Sequence, residues 1–232
     1  MNDRPVVVLL GAGLGGRGVA RALTGAAHLV IVDRSEELAK AACESVLAAG
    51  GSAEAHSVDL SDLAAVEELR DDVLAREGRV DAVVHLVGGW RGSRTVDVDS
   101  IRHWDELLPG IVTSVQTTSV VFRTALLAAP HGRYFMVTST AVRTPKAGAA
   151  AYSSLKSAAE NWVRTLGAAF EGTSARACIL AVMALVDQSM RESNPDRSYS
   201  GYTDTDVLGR AVRELLADDS IANGAYIDLT SR

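Results

Sequence analysis

The chain has 232 residues, of which 47% are hydrophobic and 22% charged, and its formal net charge is −6. A chain of this length and apolar content can bury one sizeable core, so we expect a single domain over residues 1–232. The negative charge argues against nucleic acids and anionic membranes as partners, since neither attracts an acidic protein. Small molecules are therefore the expected partners.

The sequence offers no pattern typical of a metal site, an export signal or a membrane span. Cys43 and Cys178 lie far apart, and the histidines lack the spacing of metal ligands. The apolar run at residues 6–10 is too short for a signal-peptide core, and the longest uncharged apolar run, 177–186, is shorter than the roughly 18 residues of a membrane helix. We therefore expect a cytoplasmic protein with no metal.

Short apolar runs alternate with amphipathic stretches along the chain. The runs are rich in Val, Ile and Leu without polar alternation, which is typical of parallel strands covered on both faces. The expected class is α/β, a single Rossmann-type doubly wound parallel sheet with helices on both faces. The predicted strands are 6–10, 28–32, 53–58, 81–87, 134–139, 177–183 and 226–229, with helices over 15–24, 36–49, 63–77 and 151–170.

A glycine-rich turn follows the first predicted strand. Gly11, Gly13 and Gly16 form the pattern GxGxxG between this strand and a predicted helix. The first glycine permits a tight turn, the second lets the backbone approach a pyrophosphate, and the third allows close packing of helix on strand. The N-terminus of the helix would attract phosphate. The turn predicts a dinucleotide site, with a purely structural glycine turn as the alternative.

Asp33 ends the second predicted strand, twenty residues after Gly13. A carboxylate at this place accepts hydrogen bonds from a ribose 2′-hydroxyl and repels a 2′-phosphate, which favours NAD(H). Arg34 follows directly and Arg17 lies beside the glycine turn, so a guanidinium clamp on NADP(H) is the alternative. A second alternative gives Asp33 the role of capping the helix that begins near Ser35.

Tyr152 and Lys156 stand four positions apart at the start of the helix predicted over 151–170. Residues i and i+4 share one face of a helix, so the phenol and the ammonium lie together. The ammonium favours the phenolate and so lowers the pKa of a group that ordinarily titrates at about 10. The pair is typical of a proton donor, and the alternative is a solvent-facing Tyr and Lys.

Three further sequence features lie between the glycine turn and the Tyr152–Lys156 pair. The letters VDL stand at 58–60, Gly88 follows the fourth predicted strand, and Ser139 precedes Tyr152 by thirteen residues. With these matches the chain resembles the short-chain dehydrogenase/reductase family over essentially its whole length. The resemblance implies a nicotinamide cofactor and a catalytic set of Ser139, Tyr152 and Lys156.

The chemistry of carbonyl reduction gives each of these residues a role. Hydride addition builds negative charge on the substrate oxygen, so the site needs one proton donor and a second donor that holds the oxygen. Tyr152 suits the first role and Ser139 the second, while Lys156 also bonds the nicotinamide ribose. We expect NAD(H)-dependent hydride transfer between nicotinamide and a carbonyl or alcohol. A non-catalytic NAD-binding redox sensor is the alternative from another class.

The resemblance also implies which residues bind the cofactor. Asp59 would contact the adenine, although it could instead cap the helix ahead of Leu63. The expected cofactor-binding set is Gly11, Gly13, Leu14, Gly15, Gly16, Asp33, Arg34, Asp59, Leu60, Val87, Gly88, Tyr152, Lys156 and Val186.

Two departures from the family pattern point to a narrower resemblance. Ile111 stands where many members have an asparagine of the proton relay, and Met183 and Ala184 replace the usual Pro-Gly pair. The segment VGGWRG, 87–92, is similar to that of the quinonoid dihydropteridine reductases, a divergent branch that works without that asparagine. Trp90 would then stack on a planar substrate ring, or else only pack the loop. Ser139 favours the general carbonyl-reducing pattern.

Three further features remain. The polar segment 188–206 is longer than an ordinary connection and is predicted to be a loop that closes over the substrate, with a surface insertion as the alternative. His85 ends the fourth predicted strand, where core packing is favoured over catalysis. The predicted helix 151–170 carries more apolar residues than a solvent-facing side would have, and the family resemblance implies that it helps to form a homodimer or homotetramer.

Overall fold

A seven-stranded parallel sheet forms the centre of the computed structural model, which describes residues 4–230. The strands are β1 Val6–Leu10, β2 His28–Asp33, β3 Ser52–Ser57, β4 Ala82–His85, β5 Arg133–Ser139, β6 Arg176–Val182, β7 Leu185–Val186, β8 Thr203–Asp204 and β9 Ala225–Asp228. In the sheet they lie in the order β3-β2-β1-β4-β5-β6-β9, and β7 and β8 form a separate pair. The predicted Rossmann-type sheet is confirmed.

Eight α-helices connect and cover the strands in the described part of the chain. They are α1 Leu14–Leu23, α2 Glu36–Ala48, α3 Leu63–Glu77, α4 Val98–Leu108, α5 Ser114–Ala128, α6 Ala150–Ala169, α7 Gln188–Ser193 and α8 Thr205–Leu216. One buried cluster joins α1, α2 and α8 to the sheet, and a second joins α3, α4, α5 and α6 to it. The chain therefore winds over both faces.

Alternate residues of β1, an interior strand of the sheet, enter opposite cores. Val6, Val8 and Leu10 belong to the cluster under α3 to α6, whereas Val7 and Leu9 belong to the cluster under α1, α2 and α8. Burying each such side chain stabilises the fold by about 1.5–3 kcal/mol. This double burial explains why the strand sequences are apolar without alternation.

The longest helix runs without interruption from Val98 to Ala128 and contains one π-helical turn, Pro109–Thr113. Proline has no N–H to donate, and the Ser114 N–H bonds to the Pro109 carbonyl across this wider turn. By length and composition the helix could cross a membrane, but half of its most apolar window is buried in the protein. Phe122 and Leu126 belong to the core that it covers.

The segment 188–206 is more ordered than the predicted loop, because it contains α7 and β8. The Asp187 side chain caps α7 by accepting from the Met190 N–H at 2.8 Å. The Tyr199 hydroxyl donates to the Met190 carbonyl at 2.8 Å, and the rings of Tyr199 and Tyr202 meet edge to face. These local contacts fold the segment on itself, which composition alone did not indicate.

Candidate active site

The glycine turn has two glycines fixed by packing and one open to solvent. Gly11 has φ +100°, and a Cβ added to Gly16 would lie 2.0 Å from the Gly11 carbonyl oxygen. A Cβ added to Gly13 would meet nothing within 4 Å. Packing therefore explains Gly11 and Gly16, whereas Gly13 leaves a free approach to the N-terminus of α1, where backbone N–H groups bind phosphate.

Asp33 braces this turn from the end of β2. One carboxylate oxygen accepts from the Ala12 N–H at 2.8 Å, and the other accepts from the Ser35 N–H at 2.9 Å. The cap of α2 is Ser35, whose hydroxyl accepts from the Leu38 N–H. The alternative that Asp33 caps α2 is therefore wrong. A carboxylate has capacity for more than two donors, so Asp33 can still accept from a ribose hydroxyl.

Asp59 and Leu60 follow the carboxyl end of β3, at the same end of the parallel sheet as the glycine turn. Hydrogen bonds from the Ser61 hydroxyl and N–H hold the pKa of the exposed Asp59 carboxyl below its usual range. Asp62, and not Asp59, caps α3, because it accepts from the Ala64 N–H at 3.0 Å. Leu60 is buried, and its carbonyl accepts from the Thr117 hydroxyl.

Contacts at the end of β4 bring the glycine turn beside α6, which carries Tyr152 and Lys156. A Cβ added to Gly11 would lie 3.2 Å from Val87, and a Cβ added to Gly88 would lie 3.3 Å from the Lys156 Nζ atom. On the other side, a Cβ added to Gly15 would lie 3.0 Å from Leu185, which precedes Val186 in β7. The predicted cofactor residues therefore lie around the carboxyl ends of the parallel strands.

Ser139 and Tyr152 meet at the end of β5. Burial raises the pKa of the Tyr152 phenol, and a hydrogen bond with the Ser139 side chain acts in the opposite direction. The expectation that Lys156 lowers this pKa is thus not met in this structure, because desolvation outweighs other influences. The Ser139 oxygen accepts from the Ala141 N–H at 3.2 Å, which leaves its own proton available to another acceptor.

Lys156 follows Tyr152 by four positions in α6, and only 7% of its surface is exposed. Its ammonium donates to the Val137 carbonyl at 3.0 Å. Burial lowers the pKa of Lys156 to about 8, and the Glu160 carboxylate acts in the opposite direction. Glu160 is itself buried and accepts from the Thr138 hydroxyl at 2.9 Å. The amine therefore retains a substantial ammonium fraction near neutral pH.

Glu160 was missed in the sequence, although a signal for it exists. It stands four residues after Lys156 and eight after Tyr152, so all three lie on one face of α6.

His85 was interpreted as a core residue, and it is indeed buried, but its Nε2 atom lies 3.0 Å from the Ser114 hydroxyl. Ile111 lies buried in the π-helical turn and brings no polar side chain there.

Trp90 lies in the loop after β4 with 61% of its surface exposed. The indole lies over Gly92, where an added Cβ would come within 2.4 Å of it. An ion pair between Arg91 and Glu106, at 2.8 Å, ties this loop to α4. Most of the indole surface is therefore free, so burial does not explain this tryptophan.

The parallel sheet with helices on both faces is a fold typical of dinucleotide-binding proteins, and Ser139, Tyr152 and Lys156 lie together at the carboxyl ends of its strands. The model of the short chain dehydrogenase family matches residues 5–197. The chain belongs to this family and is an oxidoreductase. Among residues 4–230 there is no group of three or more His, Cys, Asp or Glu residues that could hold a metal.

Curated relatives include two named dehydrogenases. The chain is 28% identical to meso-2,3-butanediol dehydrogenase of Serratia marcescens, over 97% of this chain and 92% of that protein. It is 26% identical to 2,3-dihydro-2,3-dihydroxybenzoate dehydrogenase of Bacillus subtilis, over 94% of this chain and 86% of that protein. These names agree with an enzyme rather than with a non-catalytic sensor.

Solved structures with the same fold include a short-chain type dehydrogenase/reductase from Mycobacterium ulcerans, with a TM-score of 0.87 at 20% identity over 98% of this chain and 88% of that one. A gluconate 5-dehydrogenase from Burkholderia cenocepacia, in complex with NADP and tartrate, has a TM-score of 0.84 at 23% identity, over 100% of this chain and 97% of that one. An NAD+-bound xylitol dehydrogenase has a TM-score of 0.84 at 18% identity, over 99% of both chains.

The environments of Gly16 and Gly13 predict that substitution by alanine lowers stability at the first and NADH affinity at the second. Gly16→Ala should lower the free energy of unfolding by about 1–3 kcal/mol or more, because its methyl group overlaps the Gly11 carbonyl. Gly13→Ala should leave the denaturation midpoint near that of the wild type but weaken NADH binding about tenfold or more. Denaturant titration and NADH fluorescence titration measure the two effects. Wild-type NADH affinity in Gly13→Ala would show that no ligand approaches this glycine.

Proposed function

We propose that the protein is an NAD(H)-dependent oxidoreductase that transfers a hydride between the nicotinamide and a carbonyl or alcohol carbon of a small molecule. The observation that carries the proposal is the convergence of Ser139, Tyr152 and Lys156 beside the glycine turn. The Ser139 side chain bonds to the Tyr152 phenol, and the ammonium of Lys156, four positions after Tyr152 in α6, lies next to Gly88. This arrangement supports a role for Tyr152 as proton donor and for Ser139 as the hydroxyl that binds the same substrate oxygen.

The residues around the turn fit a nicotinamide dinucleotide. Gly13 leaves room for a pyrophosphate at the N-terminus of α1, and Asp33 presents a carboxylate at the end of β2. Its negative charge favours NAD(H). Arg34 and the exposed Arg17 supply the cations that NADP(H) would require, so NADP(H) is the second candidate. When bound, such a cofactor supplies or accepts the hydride.

The protein residues then handle the substrate oxygen and its proton. Tyr152 gives its proton to the carbonyl oxygen as the hydride adds to the carbonyl carbon, so the products are an alcohol and the oxidised cofactor. Ser139, whose oxygen already accepts from Ala141, donates its proton in a hydrogen bond to the same substrate oxygen. Lys156 uses one N–H for Val137, so it still has an N–H group to donate to a ribose hydroxyl.

A second candidate substrate is a quinonoid pterin or a similar planar ring. The exposed indole of Trp90 favours it, because a flat aromatic face near the end of β4 can stack on such a ring. The apolar Ile111 in the π-helical turn is consistent with the dihydropteridine reductase resemblance. Under this alternative the cofactor and Lys156 keep their roles, while orientation by stacking replaces the bond from Ser139.

The segment 188–206 is proposed to cover the substrate. It begins directly after β7, which contacts the glycine turn through Leu185, and its Gly201 lies against Met183. Segments at this edge of the sheet are placed to exclude water from the reacting atoms.

Two copies of the chain are proposed to associate through α4, α5 and α6. Several apolar side chains on these helices are exposed, among them Ile101, Trp104, Val120 and Trp162. The Trp162 indole N–H donates to the Ser119 hydroxyl at 2.9 Å, which joins α6 to α5 beside Val120. On α6, the alanines Ala158 and Ala169 are exposed as well, and small residues permit close helix approach.

Tyr152→Phe tests the proposed function itself. The variant should retain NADH binding and lose turnover by about a hundredfold or more, because it removes the general acid. The measurement is NADH consumption with simple ketones, quinones and quinonoid dihydropterin. Tyr134→Phe is the matched control, since its hydroxyl is buried in the core on Thr118, and its turnover should match the wild type. Undiminished turnover in Tyr152→Phe would remove the phenol from the reaction.

Substitution of Asp33 tests cofactor choice. Asp33→Ser should narrow the gap between NADH and NADPH affinities, since the repulsion of a 2′-phosphate is lost. Asp33→Asn is the matched control, because its side-chain oxygen can still accept from Ala12 while the charge is gone. Both should shift the ratio of the dissociation constants toward NADPH. A wild type that already binds NADPH more tightly would refute the NAD(H) assignment.

Ser139→Ala and Trp90→Ala separate the two substrate classes. For a ketone, the negative charge develops on one oxygen, so loss of the serine should cost about 3 kcal/mol in kcat/KM. For a quinonoid ring, charge spreads over several nitrogens, and loss of the stacking indole should be more damaging. We expect the serine to matter more. A tenfold or smaller effect at Ser139 beside a larger one at Trp90 would favour the pterin-like substrate.

Light scattering tests the association of copies. The wild type should scatter as a species larger than the 24.4 kDa chain at micromolar concentration. Val120→Lys should shift the distribution toward the monomer, because it places a charge in the apolar contact. A wild-type mass of one chain would refute the oligomer.

A further inference from the structure

His85 is a buried polar side chain that the proposed reaction does not yet use. It ends β4, is 1% exposed, and its Nε2 atom lies 3.0 Å from the Ser114 hydroxyl. Its other ring nitrogen, Nδ1, is fully buried and has no hydrogen-bond partner within residues 4–230. A buried polar atom without a partner costs about 1–3 kcal/mol, so its retention calls for a reason.

The contacts of Ser114 fix the tautomer of this histidine. The Ser114 hydroxyl donates to the Gly110 carbonyl at 2.8 Å, within the π-helical turn. Since that proton is committed, Ser114 must accept from His85, and Nε2 carries the hydrogen. Burial lowers the pKa of His85 to about 3, so the ring stays neutral. Nδ1 is therefore a hydrogen-bond acceptor without a donor.

Lys156 is the donor that neighbouring contacts bring toward this acceptor. His85 pairs with Met136 in the sheet, and the Lys156 ammonium bonds to the carbonyl of Val137, the next residue along β5. His85 also stands three residues before Gly88, against which the same ammonium packs. The two groups are close enough for the Lys156 charge to act on the His85 ring. Two N–H groups of Lys156 remain after the bond to Val137.

We propose that His85 is a positioning residue for Lys156: its Nδ1 atom accepts a hydrogen bond from one bound water that the ammonium holds, and this link orients the ammonium toward Tyr152 and the ribose. Ser114 and Gly110 hold the ring in the tautomer that this bond requires. The buried Ile111 offers no polar side chain at this turn, so His85 provides the polar link between Lys156 and the turn. The inference rests on the proposed function.

Nitrogen-15 NMR of histidine-labelled protein tests the bond without any turnover. In the wild type, Nδ1 of His85 should be unprotonated, with a resonance upfield of that of a free ring nitrogen, and Nε2 should carry the proton. Lys156→Met should move the Nδ1 resonance downfield, since the ammonium that holds the donating water is lost. His85→Gln identifies the signal by its disappearance. A protonated Nδ1, or an Nδ1 resonance that Lys156→Met does not move, would overturn the proposal.

Kinetics of two His85 variants test the consequence for the reaction. His85→Asn keeps an acceptor at the level of Nδ1, whereas His85→Gln keeps a polar group only at the level of Nε2. With NADH and the best substrate, kcat should fall at least about tenfold in His85→Gln and stay within about threefold in His85→Asn. The substrate KM should change in neither. His28→Gln, at a buried histidine at the start of β2, is the control and should keep wild-type kcat.

The outcomes separate this proposal from the proposed function. Equal losses in His85→Asn and His85→Gln, or wild-type kcat in both, would overturn the positioning role. A wild type that reduces none of the compounds would refute the proposed function, while the NMR measurement still decides whether His85 is linked to Lys156. A loss confined to His85→Gln, together with the NMR shift in Lys156→Met, establishes the proposal.

Discussion

Burial of the Lys156 ammonium is the constraint around which the site is arranged. Removing an ammonium from water costs several kcal/mol unless hydrogen bonds and an opposite charge compensate. The Val137 carbonyl accepts a bond, the buried Glu160 carboxylate adds a favourable negative charge although its own ion pair is with Arg164 at 2.9 Å, and Gly88 leaves space for the amine. Each of these groups comes from a different place in the chain. The position of the Lys156 ammonium therefore depends on the ends of β4 and β5 and on one face of α6 together.

The glycine turn is joined to that geometry by close contacts. A Cβ added to Gly11 would lie 3.2 Å from Val87, one residue before Gly88, so the turn lies beside the strand end that borders Lys156. Asp33 joins the same turn to β2 through the Ala12 N–H. The proposed pyrophosphate site at the turn and the proposed proton donor Tyr152 therefore lie at neighbouring strand ends, in keeping with the positioning that catalysis requires.

Much of this arrangement follows from local sequence patterns. The apolar run of β1 predicts a strand buried on both faces, and the spacing of Tyr152 and Lys156 predicts a shared helical face, because each depends only on the period of its own element. The order inside 188–206 and the π-helical turn depend on contacts between side chains and could not be predicted that way. The raised pKa of Tyr152 likewise depends on burial, which no local pattern reports.

The central claim is that a hydride passes directly from the cofactor to the substrate carbon while the protein supplies the proton. NADH carrying two deuterium atoms at C4 tests it, with mass spectrometry of the product from the best substrate. We predict one deuterium on the product carbon in ordinary water, and none on that carbon when unlabelled NADH is used in heavy water. Deuterium from the solvent on the product carbon would contradict the account.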